Sequence, residues 1–152
     1  MGAIMKNKAI KQIRSASREM VRQLGLLDNR FSSIGSVSQC HAMVELDTHG
    51  AMTIKQLSAA LNLEKSTMSR LITQMIEKEV CFVQVDKDDQ RNKLVSLTNK
   101  GTQLVAHIHH QATSQVEQAL NMMTKEEQDI VVRGLSLYAQ KLKQSNPTED
   151  VL

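Results

Sequence analysis

The 152-residue sequence predicts a mainly α-helical fold with a small β-wing, and three observations carry that reading. Aromatic residues are only 2% of the chain, with no Trp and nine Met, which suits helices packed through Leu, Ile, Val and Met. The single Pro, at 147, leaves nearly the whole chain free of obligate helix breaks. Apolar residues recur at steps of three and four almost throughout, and the period changes to short β-type runs only between Phe82 and Leu97. A length of this order fits one domain, and a hydrophobic fraction of 41% is enough for a core. Residues 1–152 are therefore read as one unit.

Taken in order, residues 7–31 read as a first helix, with Ile10, Ile13, Ser17, Met20, Leu24, Leu27 and Phe31 on one stripe. Gly25 weakens it by about 1 kcal/mol relative to Ala. After the break at 31–36, Ser36 or Ser38 caps a second helix over Gln39–Thr48, and Gly50 suits the left-handed position that ends it. Thr53 and Gln56 have capping-box spacing ahead of a short helix to Leu61, which buries Ile54, Leu57, Ala60 and Leu61. Asn62–Glu64 makes a tight turn. The next helix runs from Lys65 to about Glu79, with Met68, Leu71, Ile72 and Met75 on its apolar face. Phe82–Val85 and Lys93–Leu97 then form a hairpin around the charged loop Asp86–Asn92. Thr98 caps a long helix with a stripe through Leu104, Val105, Ile108, Ala112, Val116 and Leu120. Thr124 and Glu127 form another capping box, and the last helix carries Ile130, Val131, Leu135, Tyr138 and Leu142. Residues 146–152 read as a frayed tail.

Two short helices joined by a three-residue turn and followed by a β-hairpin form the winged helix-turn-helix plan, here spanning 53–98. In that plan the second short helix enters the major groove of DNA. Opposite its apolar stripe stand Ser66, Thr67, Ser69, Arg70, Thr73 and Gln74. Hydroxyls near a helix start hydrogen-bond phosphates, Arg suits guanine edges and Gln suits adenine edges. In the hairpin loop, Arg91 supplies a cation for the narrow minor groove, and Asp89 an anion to hold Arg91 or Arg70 in register. Charge alone does not point there. The net charge is +3, yet residues 53–98 hold seven basic and six acidic side chains, whereas residues 1–30 hold seven basic and two acidic.

The stretch from Ser38 to Gly101 resembles the multiple-antibiotic-resistance regulator (MarR) family of bacterial transcription regulators. The likeness lies in Ser38-Gln-Cys-His-Ala-Met-Val-Glu-Leu46, Thr53-Ile-Lys-Gln-Leu57, Leu63-Glu-Lys-Ser-Thr-Met-Ser-Arg-Leu71, Asp86-x-x-Asp89-x-Arg91 and Leu97-Thr98-x-x-Gly101. It implies a homodimer held by the first and last two helices (7–31 and 99–145), which binds double-stranded DNA at a pseudo-palindromic operator. It also implies repression of nearby genes, relieved by a small molecule, an oxidant or a metal. The chain departs from the family's pattern at Glu79, where members commonly have Gly just past the recognition helix.

Three routes to signal sensing follow. An organic effector would sit in a cleft walled by residues such as Val37, His41, Met43, Met68 and Leu104. A redox switch would use Cys40 or Cys81, which are in no CxxC pattern and read as free thiols. No cofactor is required; zinc would bind through His41, His107 and His110, of which the last two lie three apart on one helix while His109 points elsewhere. Other classes find little support. No apolar run approaches the ~20 residues of a membrane span, and the chain reads as cytoplasmic. Enzymatic signatures are missing: there is no phosphate-binding Gly loop, G-x-S-x-G or H-E-x-x-H. The competing function is a winged-helix protein–protein module without DNA, which the near-neutral charge of 53–98 keeps open.

Overall fold

The computed structural model describes residues 1–27 and 34–146. Its elements are α1 (Gly2–Gln23), α2 (Val37–His49), β1 (Met52–Thr53), α3 (Ile54–Leu61), α4 (Lys65–Glu77), β2 (Cys81–Val85), β3 (Lys93–Leu97), α5 (Asn99–Leu120) and α6 (Lys125–Ser145). The three strands form one antiparallel sheet in the order β1-β3-β2, in which Val95 of β3 stands between Met52 and Val83. The core lies where α2, α3, α4 and the first turns of α5 close over that sheet. Met43, Leu57, Met68, Met75, Val80, Val95 and Val105 are its largest fully buried side chains among the described residues. With no large rings, unbranched Met fills the irregular gaps between helices.

Local chemistry sets most boundaries. Ser36, Thr53 and Thr124 each close a full capping box with a Gln or Glu three residues on, and the Thr98 hydroxyl accepts from Gly101 N–H. Asn62 ends α3 in the left-handed region at φ 54°, ψ 46°, a conformation its short polar side chain tolerates.

Several expectations are corrected. The first helix does not continue to residue 31: it ends at Gln23, and Gly25 takes a φ of 74° that stops it. Phe31 lies outside the described residues, as does the tail from 147. The second helix starts two residues earlier than expected, because Ser36, not Ser38, is its cap. Gly50 has the expected positive φ of 77°, but its ψ of −153° lies outside the left-handed helical region. On α3 it is Ser58, not Ala60, that faces inward; its hydroxyl donates to the Ile54 carbonyl at 2.7 Å. The two-residue β1 is an addition, too short to show an alternation in the sequence.

The recognition helix stops at Glu77, two residues before the expected end, and Glu79 shows how. Its φ is +61°. Glu79 N–H donates to the Ile76 carbonyl at 2.9 Å and Val80 N–H to the Met75 carbonyl at 3.1 Å, the paired bonds of a Schellman motif. Buried Val80 then packs at the helix end. A side chain at this left-handed position costs about 1 kcal/mol. Glu79→Gly is therefore expected to stabilise the protein by about 1 kcal/mol, raising the thermal midpoint by roughly 2–4 °C; a lowered midpoint in calorimetry would contradict this.

Candidate nucleic-acid interface

α4 is the element that presents the site. Its buried side holds Met68, Leu71, Ile72 and Met75 against the core. At about 100° per residue, Ser66, Ser69, Arg70 and Thr73 fall within one arc of roughly 100° on the opposite side, and all four are exposed. Thr73 donates its hydroxyl proton to the Ser69 carbonyl at 3.0 Å, which leaves its oxygen as an acceptor. Glu64 precedes the helix without a side-chain cap bond, so the first-turn N–H groups face outward uncapped.

Thr67 and Gln74 stand on the flank of this arc. Thr67 is half-buried. Gln74 is engaged elsewhere: its Oε1 accepts from Gln39 Nε2 of α2 at 3.0 Å. Gln39 is buried, and its Oε1 also accepts from Ser36 N–H at 3.2 Å and from Lys78 Nζ at 3.1 Å. One amide thus caps α2 and ties that helix to the C-terminal half of α4. Sequence reasoning missed Gln39 and Lys78; the Ser36–Gln39 spacing signalled the cap, but nothing local signalled the bonds across 35 and 39 residues. Gln39→Ala strips three groups of a partner, and a loss of about 1–3 kcal/mol in denaturant unfolding is expected; unaltered stability would show the network to be idle.

β2 and β3 hold out the wing. Asp86 N–H donates to the Asn92 carbonyl at 2.9 Å, closing the loop. Asp88 N–H donates to Asp86 Oδ1 at 2.9 Å. Asp89 Oδ1 accepts from both the backbone N–H and the Nε of Arg91, at 3.1 and 3.2 Å. Of the two arginines considered as its partner, Asp89 holds Arg91. The Arg91 side chain is 91% exposed, a cation fixed at its base and open at its tip.

The sensing residues fare differently. Met43 and Met68 are almost fully buried in the core, Val37 and Leu104 are half-buried, and His41 is exposed. Grooves occur elsewhere. One of about 470 Å³ lies between α1 and α6 and is lined by Ile13, Met20, Leu135 and Tyr138 among others. Among the described residues no three His, Cys, Asp or Glu side chains gather as a metal site, so His41, His107 and His110 do not form a three-ligand group within one chain. His109 faces Asp47 across α2 and α5 at 3.8 Å.

Both cysteines are buried and free. Burial pushes the Cys40 thiol up, partly offset by the nearby Lys78 ammonium. Burial alone pushes Cys81 up to about 11. Reactive cysteines need the opposite surroundings, so neither position favours a redox switch. Iodoacetamide at pH 8 is expected to leave both thiols of the folded protein unmodified and to label both after unfolding. Rapid labelling of the native protein, read by mass spectrometry, would overturn this.

An antiparallel wing beside a two-helix unit, with a polar outward helix face and a tethered cation at the wing tip, defines a winged helix-turn-helix protein of the transcription-regulator type. A family model described as the MarR family matches residues 36–93, the stretch from the cap of α2 to the start of β3. The chain is 25% identical over 112 residues to an uncharacterized HTH-type transcriptional regulator, YxaD, of Bacillus subtilis (strain 168), covering 72% of this chain and 78% of that protein. Its fold is similar to that of Streptococcus pneumoniae FabT in complex with DNA, with a TM-score of 0.76, 20% identity, and coverage of 92% of this chain and 99% of that one. It is also similar to MepR, a transcription regulator of the Staphylococcus aureus multidrug efflux pump MepA, with a TM-score of 0.68, 22% identity, and coverage of 86% and 96%. No helix among the described residues is long and apolar enough to cross a membrane.

Proposed function

We propose that this protein is a homodimeric, DNA-binding repressor that occupies a pseudo-palindromic operator near its own gene and is released by a small molecule. The observation that carries the reading is the α4 surface: Ser66, Ser69, Arg70 and Thr73 exposed together, directly opposite a fully packed Met and Leu stripe. Hydroxyls and uncapped N–H groups at the helix start suit phosphates, and Arg70 suits a guanine edge. Thr67 supports the same contact from the flank. Gln74, bound to Gln39, serves to hold the helix more than to read a base. Arg91, held by Asp89, suits the minor groove alongside.

Dimerisation is supported by apolar surface that one chain leaves open. α1 and α6 contain no buried residue, and Ile10, Ile13, Leu135, Leu137, Tyr138 and Leu142 are all at least 40% exposed. Contiguous apolar faces of this kind mark an interaction surface. Two recognition helices would then address half-sites one DNA turn apart, ~34–36 Å. The buried thiols argue for an organic effector over an oxidant, in keeping with a cytoplasmic protein. Zinc through His41, His107 and His110 would need a ligand from outside this chain.

The test is binding to the DNA upstream of the protein's gene across a salt series. Affinity that falls linearly with log salt supports the reading. No binding to that DNA at low salt, with a folded dimer, would favour a winged-helix module that docks on protein instead.

A further inference from the structure

The positive charge of this chain is not on its winged lobe. Residues 1–23 hold six Lys or Arg and one Glu, a net of +5, so the remainder of a +3 chain is net −2. Five of the six recur at steps of three and four along α1: Lys8, Lys11, Arg14, Arg18 and Arg22, all exposed. At about 100° per residue they form one stripe roughly 120° wide, and at 1.5 Å per residue it is about 21 Å long. Among the described residues Arg22 also pairs with Glu19 at 3.2 Å. The apolar side of α1 is turned away from this stripe: Ile13, Ala16 and Met20 line the groove shared with α6.

We infer that the α1 stripe is a docking strip for the sugar-phosphate backbone of double-stranded DNA, independent of sequence. The inference rests on the DNA-binding reading above. Non-specific affinity for DNA comes almost wholly from phosphate neutralisation, and residues 53–98 supply a surplus of only one charge, seven basic against six acidic. The stripe supplies the rest. A membrane surface fits less well, because a helix lying on a bilayer needs its apolar face free, and here that face lines a groove shared with α6 and belongs to the apolar surface assigned above to the dimer.

The experiment uses the full-length protein and a random-sequence 30-base-pair duplex in a salt series. Three variants are compared: K8Q/K11Q/R14Q/R18Q/R22Q, the charge-preserving K8R/K11R/R14K/R18K/R22K, and R70A/R91A. Each stripe contact to a phosphate contributes about 0.9 to the slope of log affinity against log salt. Per protomer, the glutamine variant should lose about three to four units of slope, the charge-preserving variant none, and R70A/R91A no more than about two. Equal slopes for the wild type and the glutamine variant would overturn the proposal while leaving the winged-lobe reading intact. Loss of slope in the charge-preserving variant as well would also overturn it, since packing rather than charge would be responsible. If R70A/R91A leaves both the affinity for the duplex and its slope unaltered while the glutamine variant loses slope, the winged-lobe reading fails and the strip stands. Vesicles of phosphatidylserine and phosphatidylcholine serve as the competing polyanion; stripe-dependent binding to them tighter than to the duplex would overturn the assignment to DNA.

Discussion

Arg91→Ala is expected to weaken operator binding by about 1–3 kcal/mol, roughly 5- to 150-fold at one fixed salt concentration. The guanidinium is 91% exposed, so its removal disturbs no packing and the thermal midpoint should stay put. Because a cation is lost, the salt dependence should fall by about one unit for each wing that reaches a phosphate or groove. Asp89→Ala removes the acceptor that holds both the backbone and the side chain of Arg91, and a smaller loss is expected, from a cation left to sweep. Fluorescence anisotropy with labelled operator reads both effects. Undiminished affinity in Arg91→Ala would remove the wing from the DNA-binding surface.

Gly101→Val, at a buried position in the first turn of α5, is expected to cause a large loss of stability. Gly101 stands in the first turn of α5, directly against the end of α4 and the start of the wing. A Cβ built there overlaps the backbone carbonyl oxygen of Val80 and comes within 3.0 Å of Leu97 Cδ2. The same junction is already closed by Thr98 N–H on the Val80 carbonyl at 3.1 Å and by the Thr98 hydroxyl on the Glu79 carbonyl at 2.7 Å. Backbone held in this way cannot rotate aside as a side chain would. Overpacking costs typically about 1–3 kcal/mol, and the upper end is expected here, a fall of roughly 6–12 °C in thermal midpoint. An unshifted midpoint in calorimetry would show that α5 can back away from the wing.

These two positions also show what could be read from residues alone. The element order, the apolar stripe of α4 and the hairpin were legible because each is a local pattern of spacing. The capping boxes at Thr53 and Thr124 were legible for the same reason, since each partner lies three residues away. Asp89 and Arg91, two positions apart, meet within one turn of loop. Contacts across long sequence separations were not legible. Gln39 belongs to α2 in sequence but to the recognition helix in its hydrogen bonds, and the Gln74 oxygen, read from spacing as open to a base edge, accepts from Gln39 Nε2. Gly25 was read as a weak point in a long helix because periodicity continues past it; its φ of 74° shows a terminus instead. The effector residues differ among themselves for another reason. Helix periodicity marks an inward side, but it does not separate a cavity wall from solid packing, and Met43 and Met68 belong to the packing. Glu79 falls between these cases: the departure from Gly was plain, and the structure supplied the left-handed turn that follows from it.

In the proposed mode of action two copies of α4 and its wing read DNA together. The most direct measurement is selection of bound sequences from random double-stranded DNA by the full-length protein at near-physiological salt. The account predicts enrichment of an inverted repeat with half-site centres about 10–10.5 base pairs apart, and loss of that enrichment when Arg70 and Arg91 are replaced. Recovery of no shared sequence, or of a single unrepeated half-site bound equally well by the variant, would contradict it.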